Sequence, residues 1–167
     1  MKCVLMSIQA EHSYNIFSGM KDDEVRKRPP KLVPPFKVYV YQSRGSTKGK
    51  PVVFSKGKIH DLPHGVVVGE FICDRVLTVR SKRAAMLKHP RLRTCITMDQ
   101  LLQYMGRSDE VSFLHIKDRD VYDKPLPLSM FRRCAPKIGW DNGAPEITYQ
   151  LDRPPQSWCY VEELGDD

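Results

Sequence analysis

The chain predicts an α+β fold: a small, mostly antiparallel β-barrel with two or three flanking helices. Three observations carry this reading. The apolar, β-branched runs are short and unevenly spaced, two or three helical stripes fall between them, and no regular strand-helix alternation builds a parallel sheet. At 167 residues the chain fits a single domain over 1–167, with extra length at 42–64 and at about 80–97. It is long enough to bury a core without metal or disulfide staples.

The first strand is expected over Lys2–Gln9, an apolar run too short for a buried helix. A helix follows over Ala10–Ser18, where Tyr14, Ile16 and Phe17 make an apolar stripe, and Gly19 supplies the positive φ that ends it. The chain re-extends over Asp22–Arg28. Pro29, Pro30, Pro34 and Pro35 then remove backbone donors, so the next strand starts at Phe36 and runs to Tyr41. Residues 42–64 carry Gly45, Gly49, Gly57 and five Lys or Arg, which predicts a mobile basic hairpin or loop around Val52-Val53-Phe54.

Val66–Val79 reads as a central strand in which Gly69 marks a bulge or a close backbone approach. Residues 80–97 are basic, with a short helix around Lys82–Lys88. Thr97 is an acceptable N-cap for a helix through Tyr104, with Asp99 at its positive end and Gly106 as its stop. Val111–Val121 is another strand. Pro125, Pro127 and Pro136 make the following stretch irregular, and a last strand is expected over Ser157–Val161.

Residues 21–58 hold 11 Lys/Arg against 3 Asp/Glu, whereas the remainder holds 16 against 17, so the whole excess of the +7 net charge lies in one early segment. Such a concentration attracts phosphates, and nucleic acid is the first partner it suggests. A solvated Lys-rich loop is the plainer explanation. The five cysteines include no Cys-x-x-Cys pair, which points to reduced, buried thiols. With no signal-peptide core and no run of about eighteen apolar residues, a cytoplasmic protein without membrane partners is expected.

Gly19-Met20-Lys21-Asp22-Asp23-Glu24-Val25-Arg26 is the most informative segment. On an extended backbone Glu24, Arg26 and Arg28 share one face, and Lys21 can lean toward them from the strand entrance. A carboxylate, an ammonium and a guanidinium then converge. Gly19-x-Lys21-x-x-Glu24-x-Arg26, Val67-Val68-Gly69-Glu70-Phe71, Val121-Tyr122-Asp123-Lys124-Pro125 and Pro154-Pro155-Gln156-Ser157-Trp158-Cys159-Tyr160, in this order, resemble the ASCH family of the PUA-like superfamily. The resemblance spans about residues 4–41, 65–79 and 100–161. It implies a PUA-like barrel whose Lys-Glu-Arg element lines a cleft beside the first helix. It also implies an RNA- or nucleotide-binding module linked to RNA metabolism, transcription or translation. Some members are hydrolases of modified cytidine or RNA; for that branch Lys21 and Glu24 are the matching positions, but it typically carries threonine where this chain has Glu24.

Three readings of the site stay open. In catalysis, Glu24 activates water while Lys21 or Arg26 stabilises an oxyanion. In binding, Lys21 and Arg26 hold phosphate or carbonyl groups, and Glu24 accepts from an exocyclic amine or orients Arg26. In the third, the residues form an exposed ion pair contributing ~0–1 kcal/mol. Tyr39 and Tyr41 share a strand face and can stack unpaired bases or pack in the barrel wall. Gln156 and Ser157 reach the cleft or stabilise a turn. Trp158 and Tyr160 are assigned to core closure. His60, Asp61 and His64 lack the further ligand spacing of a metal centre, so neither metal nor cofactor is expected. RNA or a nucleotide-like ligand is the leading partner, DNA the second, and an acidic protein partner of an accessory module the third.

Overall fold

The computed structural model describes residues 1–44, 52–135 and 147–165. The described strands are β1 (Lys2–Ile8), β2 (Asp23–Arg26), β3 (Phe36–Gln42), β4 (Val52–Ser55), β5 (Lys58–Asp61), β6 (Val67–Val79), β7 (Val111–Leu126), β8 (Arg132–Cys134), β9 (Thr148–Gln150) and β10 (Trp158–Glu162). The described helices are α1 (Ala10–Phe17), α2 (Lys82–Lys88) and α3 (Met98–Met105). The fold is α+β. Eight strands form one sheet in the order β2-β7-β6-β3-β1-β10-β8-β9, and β4 and β5 make a separate hairpin. Within the large sheet only β1 and β3 pair in parallel.

The central strands are buried on both faces. Val4, Met6, Ile8, Val38 and Val40 join Ile16 and Phe17 of α1 in one core cluster. Their neighbours in sequence, Cys3, Leu5, Tyr39 and Tyr41, join Phe131, Cys159 and Val161 in a second. Two-sided burial explains why β1 reads as an unbroken apolar run. A third cluster packs Ala85, Leu101 and Met105 of α2 and α3 against Val25, Val111 and Phe113. α3 begins with a capping box: the Thr97 side chain accepts from the Gln100 backbone N–H, and the Gln100 side chain accepts from the Thr97 N–H.

The structure corrects the expectation of a closed barrel. No backbone ladder among the described residues joins the two ends of the sheet. β2 instead approaches β1 and β10 through side chains: the Arg26 guanidinium donates to the Ser7 carbonyl, the Trp158 indole N–H to the Arg28 carbonyl, and the Lys31 N–H to the Tyr160 hydroxyl. The physical reason lies in the sequence after Arg26. Four prolines between 29 and 35 remove the donors that a closing ladder would need.

A further expectation changes. β7 runs five residues beyond Val121 because Pro125 falls within a register shift, between the pairs Gly69↔Val121 and Val67↔Leu126, where a ladder N–H is dispensable. Over the described residues 52–61, the hairpin alternative of the sequence reading holds, with Val53 and His60 turned inward; Gly45, Lys48, Gly49 and Lys50 lie outside the described residues. The short strands β8 and β9 have no counterpart in the sequence reading.

Gly69 sits at the close approach its sequence position suggests. A Cβ there would lie 2.4 Å from the Asp120 carbonyl oxygen and 2.7 Å from Phe17 Cζ. Gly69→Ala should therefore lower stability by ~1–3 kcal/mol, read as a fall in the urea midpoint at unchanged m-value. An unchanged midpoint would show that β6 and β7 separate freely at this point.

Candidate functional site

Three elements bring the charged groups together. α1 ends at Gly19, whose φ of +82° turns the chain back toward the sheet, and β2 then presents Glu24 and Arg26 on one side. The segment between α2 and α3 lies across the entrance to β2. Asp23 accepts from the Arg93 N–H at 3.0 Å, and the Arg93 carbonyl accepts from the Asp22 and Asp23 N–H groups at 2.9 and 3.1 Å. Arg93 and Arg119 both pair with Asp22. This lacing holds the Thr94 carbonyl where it accepts from Lys21 Nζ at 2.7 Å.

Glu24 is the centre of the arrangement. Lys21 Nζ stands 3.2 Å from its Oε2, while Arg26 reaches Oε1 through Nε at 3.1 Å and Nη2 at 3.0 Å. Lys21 and Glu24 are only 2% and 5% exposed, which excludes the reading of a solvated surface pair. The remaining Arg26 donors are largely committed: Nη2 donates to the Ser7 carbonyl and Nη1 to Ser157 Oγ, each at 3.1 Å. Glu24 Oε2 is buried, with Lys21 Nζ as its close partner in the ion pair. Burial alone would raise the Glu24 pKa, but the Lys21 and Arg26 charges outweigh it and hold the carboxyl below its ordinary range.

This ion triad lines a cleft of about 630 Å³. Ser7 and Gln9 from the end of β1, His12 from α1, Gln100, Gln103 and Tyr104 from α3, and Gln156 complete its walls. Burial, reinforced by the Lys21 charge, lowers the His12 pKa and keeps its imidazole neutral near pH 7. The cleft therefore combines the paired carboxylate of Glu24, the exposed carboxylate of Glu11, two cations and several amide and ring groups.

The predicted site residues divide. Lys21, Glu24, Arg26 and Gln156 meet in the cleft, and Ser157 holds Arg26 at its edge. Arg28 lies beyond the end of β2 at Arg26, exposed, and lines an adjoining hollow with Arg26 rather than the cleft. Tyr39 and Tyr41 are not available to stack bases. Tyr39 is 1% exposed, packs edge-on against Phe131 and accepts from the Leu164 N–H, while Tyr41 is buried in the same cluster. Lys56 and Lys58 of the basic hairpin pair with Asp120 and Asp123 away from the cleft. His60 and His64 are hydrogen-bonded to the Ser55 and Ser43 carbonyls.

Sequence reasoning missed His12, the Thr94 carbonyl and the α3 residues Gln100, Gln103 and Tyr104. The α3 trio has helical spacing opposite Leu101 and Met105, a polar stripe that was legible, but no pattern indicated what it faces. Cys95 also departs from the expectation of buried thiols: it is exposed at the cleft, whereas Cys3, Cys73, Cys134 and Cys159 are buried.

Two mutant forms of an ASCH protein from Zymomonas mobilis each superpose with a TM-score of 0.65 at 15% identity, over 96% of this chain and 90% and 88% of theirs. The ASCH structure from the same organism gives 0.59 at 16%, over 96% of this chain and 87% of its own. This chain has the ASCH fold. No family model matches the sequence, and no curated protein does. Structural likeness at such low identity carries the ASCH architecture alone, so the chemistry of this ASCH-fold cleft rests on its own residues.

Glu24→Gln leaves buried Lys21 and partly buried Arg26 without their counter-charge and should cost ~3–5 kcal/mol at pH 7. The folded pKa of Glu24 lies below its ordinary value of 4.5, so its stabilisation is fully present above that value and is lost as pH falls through the folded pKa. The stability gap between wild type and Glu24→Gln should hence be widest at neutral pH and narrow in acid. Denaturant melts of both proteins from pH 7 to pH 3 check this; a gap independent of pH would contradict it.

Proposed function

We propose that this ASCH-fold protein binds RNA through the cleft around Lys21, Glu24 and Arg26, receiving an unpaired nucleobase or a nucleotide-like group. The observation that supports this most directly is the fixed ion triad in a cleft wall otherwise rich in side-chain amides. An ionised carboxylate lining the cleft suits a base's exocyclic amine or ring N–H. A remaining N–H of Lys21 or Arg26 suits a base carbonyl. Tyr104, 39% exposed at the rim, offers the stacking face that Tyr39 and Tyr41 do not. DNA presents the same base edges and is the competing strand chemistry; a module working in RNA metabolism, transcription or translation fits the RNA reading.

A second reading, hydrolysis of a modified nucleoside or RNA, gains support from His12. With its carboxylate engaged by two cations and its pKa lowered, Glu24 is a weak general base. A neutral imidazole in the same cleft is the better proton acceptor, with Lys21 or Arg26 facing a developing oxyanion.

Titration of single-stranded RNA into wild type, Tyr104→Ala and the paired-lysine control Lys56→Ala tests the main reading. Tyr104→Ala should weaken binding by ~5- to 100-fold through lost stacking, with little change in melting temperature. Lys56→Ala should bind as wild type does, and rising salt should weaken all three. Equal affinity of Tyr104→Ala and wild type would overturn the assignment to this cleft. RNA product that disappears in His12→Asn would instead assign hydrolysis.

A further inference from the structure

Beside the cleft lies a second hollow of about 810 Å³, and the two share Arg26, Tyr104 and Gln156. We infer that this hollow holds the neighbouring nucleotide of the same strand, so the ligand is a single-stranded oligonucleotide rather than a free nucleoside or mononucleotide. The inference rests on the cleft receiving a base, and it adds the length of the ligand.

The hollow has the chemistry of a phosphodiester and a stacked base. Lys27 and Arg28 project from the chain just after β2, and both are exposed. Among the described residues, neither has an ion-pair partner; Lys27 Nζ rests instead 5.1 Å from the Tyr104 ring centroid. Their charges are thus uncommitted, unlike those of Lys21 and Arg26. Glu110 is the lone carboxylate in the described lining, and Arg80 stands 3.9 Å from it.

Trp158 supplies the aromatic surface. Its indole N–H donates to the Arg28 carbonyl at 2.7 Å, and its ring meets Tyr160 edge-on at 5.0 Å between centroids, so its orientation is set before any ligand arrives. A half-buried ring held in place loses little freedom on stacking a base. Arg26 stands between the two compartments, tied to Glu24 on one side and to Ser157 on the other. A backbone crossing from cleft to hollow passes this guanidinium, where a phosphate meets the uncommitted Lys27 and Arg28.

The test compares two ligands on two proteins: nucleoside monophosphates and a mixed-sequence single-stranded RNA hexamer, each titrated into wild type and the Lys27→Ala/Arg28→Ala double variant. Both replaced side chains are exposed, so folding is not at issue. Wild type should bind the hexamer at least ~10-fold more tightly than any monophosphate. The double variant should lose ~10-fold or more for the hexamer, keep monophosphate affinity, and show a salt slope smaller by ~1.4, about 0.7 for each lost contact. Equal affinity of wild type for hexamer and monophosphate, or undiminished hexamer binding by the double variant, would overturn the hollow while leaving the cleft intact. If wild type bound neither ligand, the cleft reading itself would fall and the hollow with it.

Discussion

A carboxylate buried among protein atoms has to be neutralised, and Glu24 organises this molecule through that requirement. Its charge draws in Lys21 from the turn after α1 and Arg26 from two residues further along β2. Each cation in turn needs acceptors. Lys21 takes the Thr94 carbonyl from the segment between α2 and α3, and Arg26 takes the Ser7 carbonyl of β1 and the Ser157 hydroxyl before β10. One buried charge thereby ties together four stretches of chain distant in sequence. Removing one partner exposes the others to the full cost of burial without compensation.

The same network explains how the sheet does without closure. A barrel satisfies its edges with backbone ladders, but the proline-rich segment after β2 cannot supply one. Arg26, Trp158 and Tyr160 bridge the gap with individual hydrogen bonds instead. A seam built from side chains leaves space between them, and the cleft and its neighbouring hollow occupy that space. Site and seam are thus one feature of the fold.

Much of the frame was legible because local rules govern it. Gly19 ended α1, Thr97 capped α3 and Gly69 marked a close approach, each from a backbone need that a single residue type meets. The spacing of Lys21, Glu24 and Arg26 was also sufficient to bring them together. Tyr39 and Tyr41 show where such rules stop. Alternation placed them on one face correctly, but when a strand is buried on both sides, periodicity gives no sign of which face meets a ligand. The Thr94 carbonyl was invisible for another reason: a backbone acceptor has no residue signature, and its position depends on Asp22 and Asp23 lacing a segment some seventy residues away. β8 and β9, at three residues each, are too short to carry a periodic signal.

Charge shows the largest difference between counting and placing. The surplus in residues 21–58 invites a picture of one broad phosphate-binding face. The fold divides it. Lys21 and Arg26 are absorbed by Glu24, Lys37 by Glu70 and Glu163, and Lys56 and Lys58 by Asp120 and Asp123. Cations already paired have little left to offer a phosphate, since engaging one means giving up or sharing an existing partner. The uncommitted pair Lys27 and Arg28 matters more than the total, because it stands in the adjoining hollow beside Tyr104 and Trp158. On the proposed reading, recognition rests on a short run of free charge placed next to aromatic surface, which favours the backbone of an unpaired strand over the regular phosphate rows of a duplex.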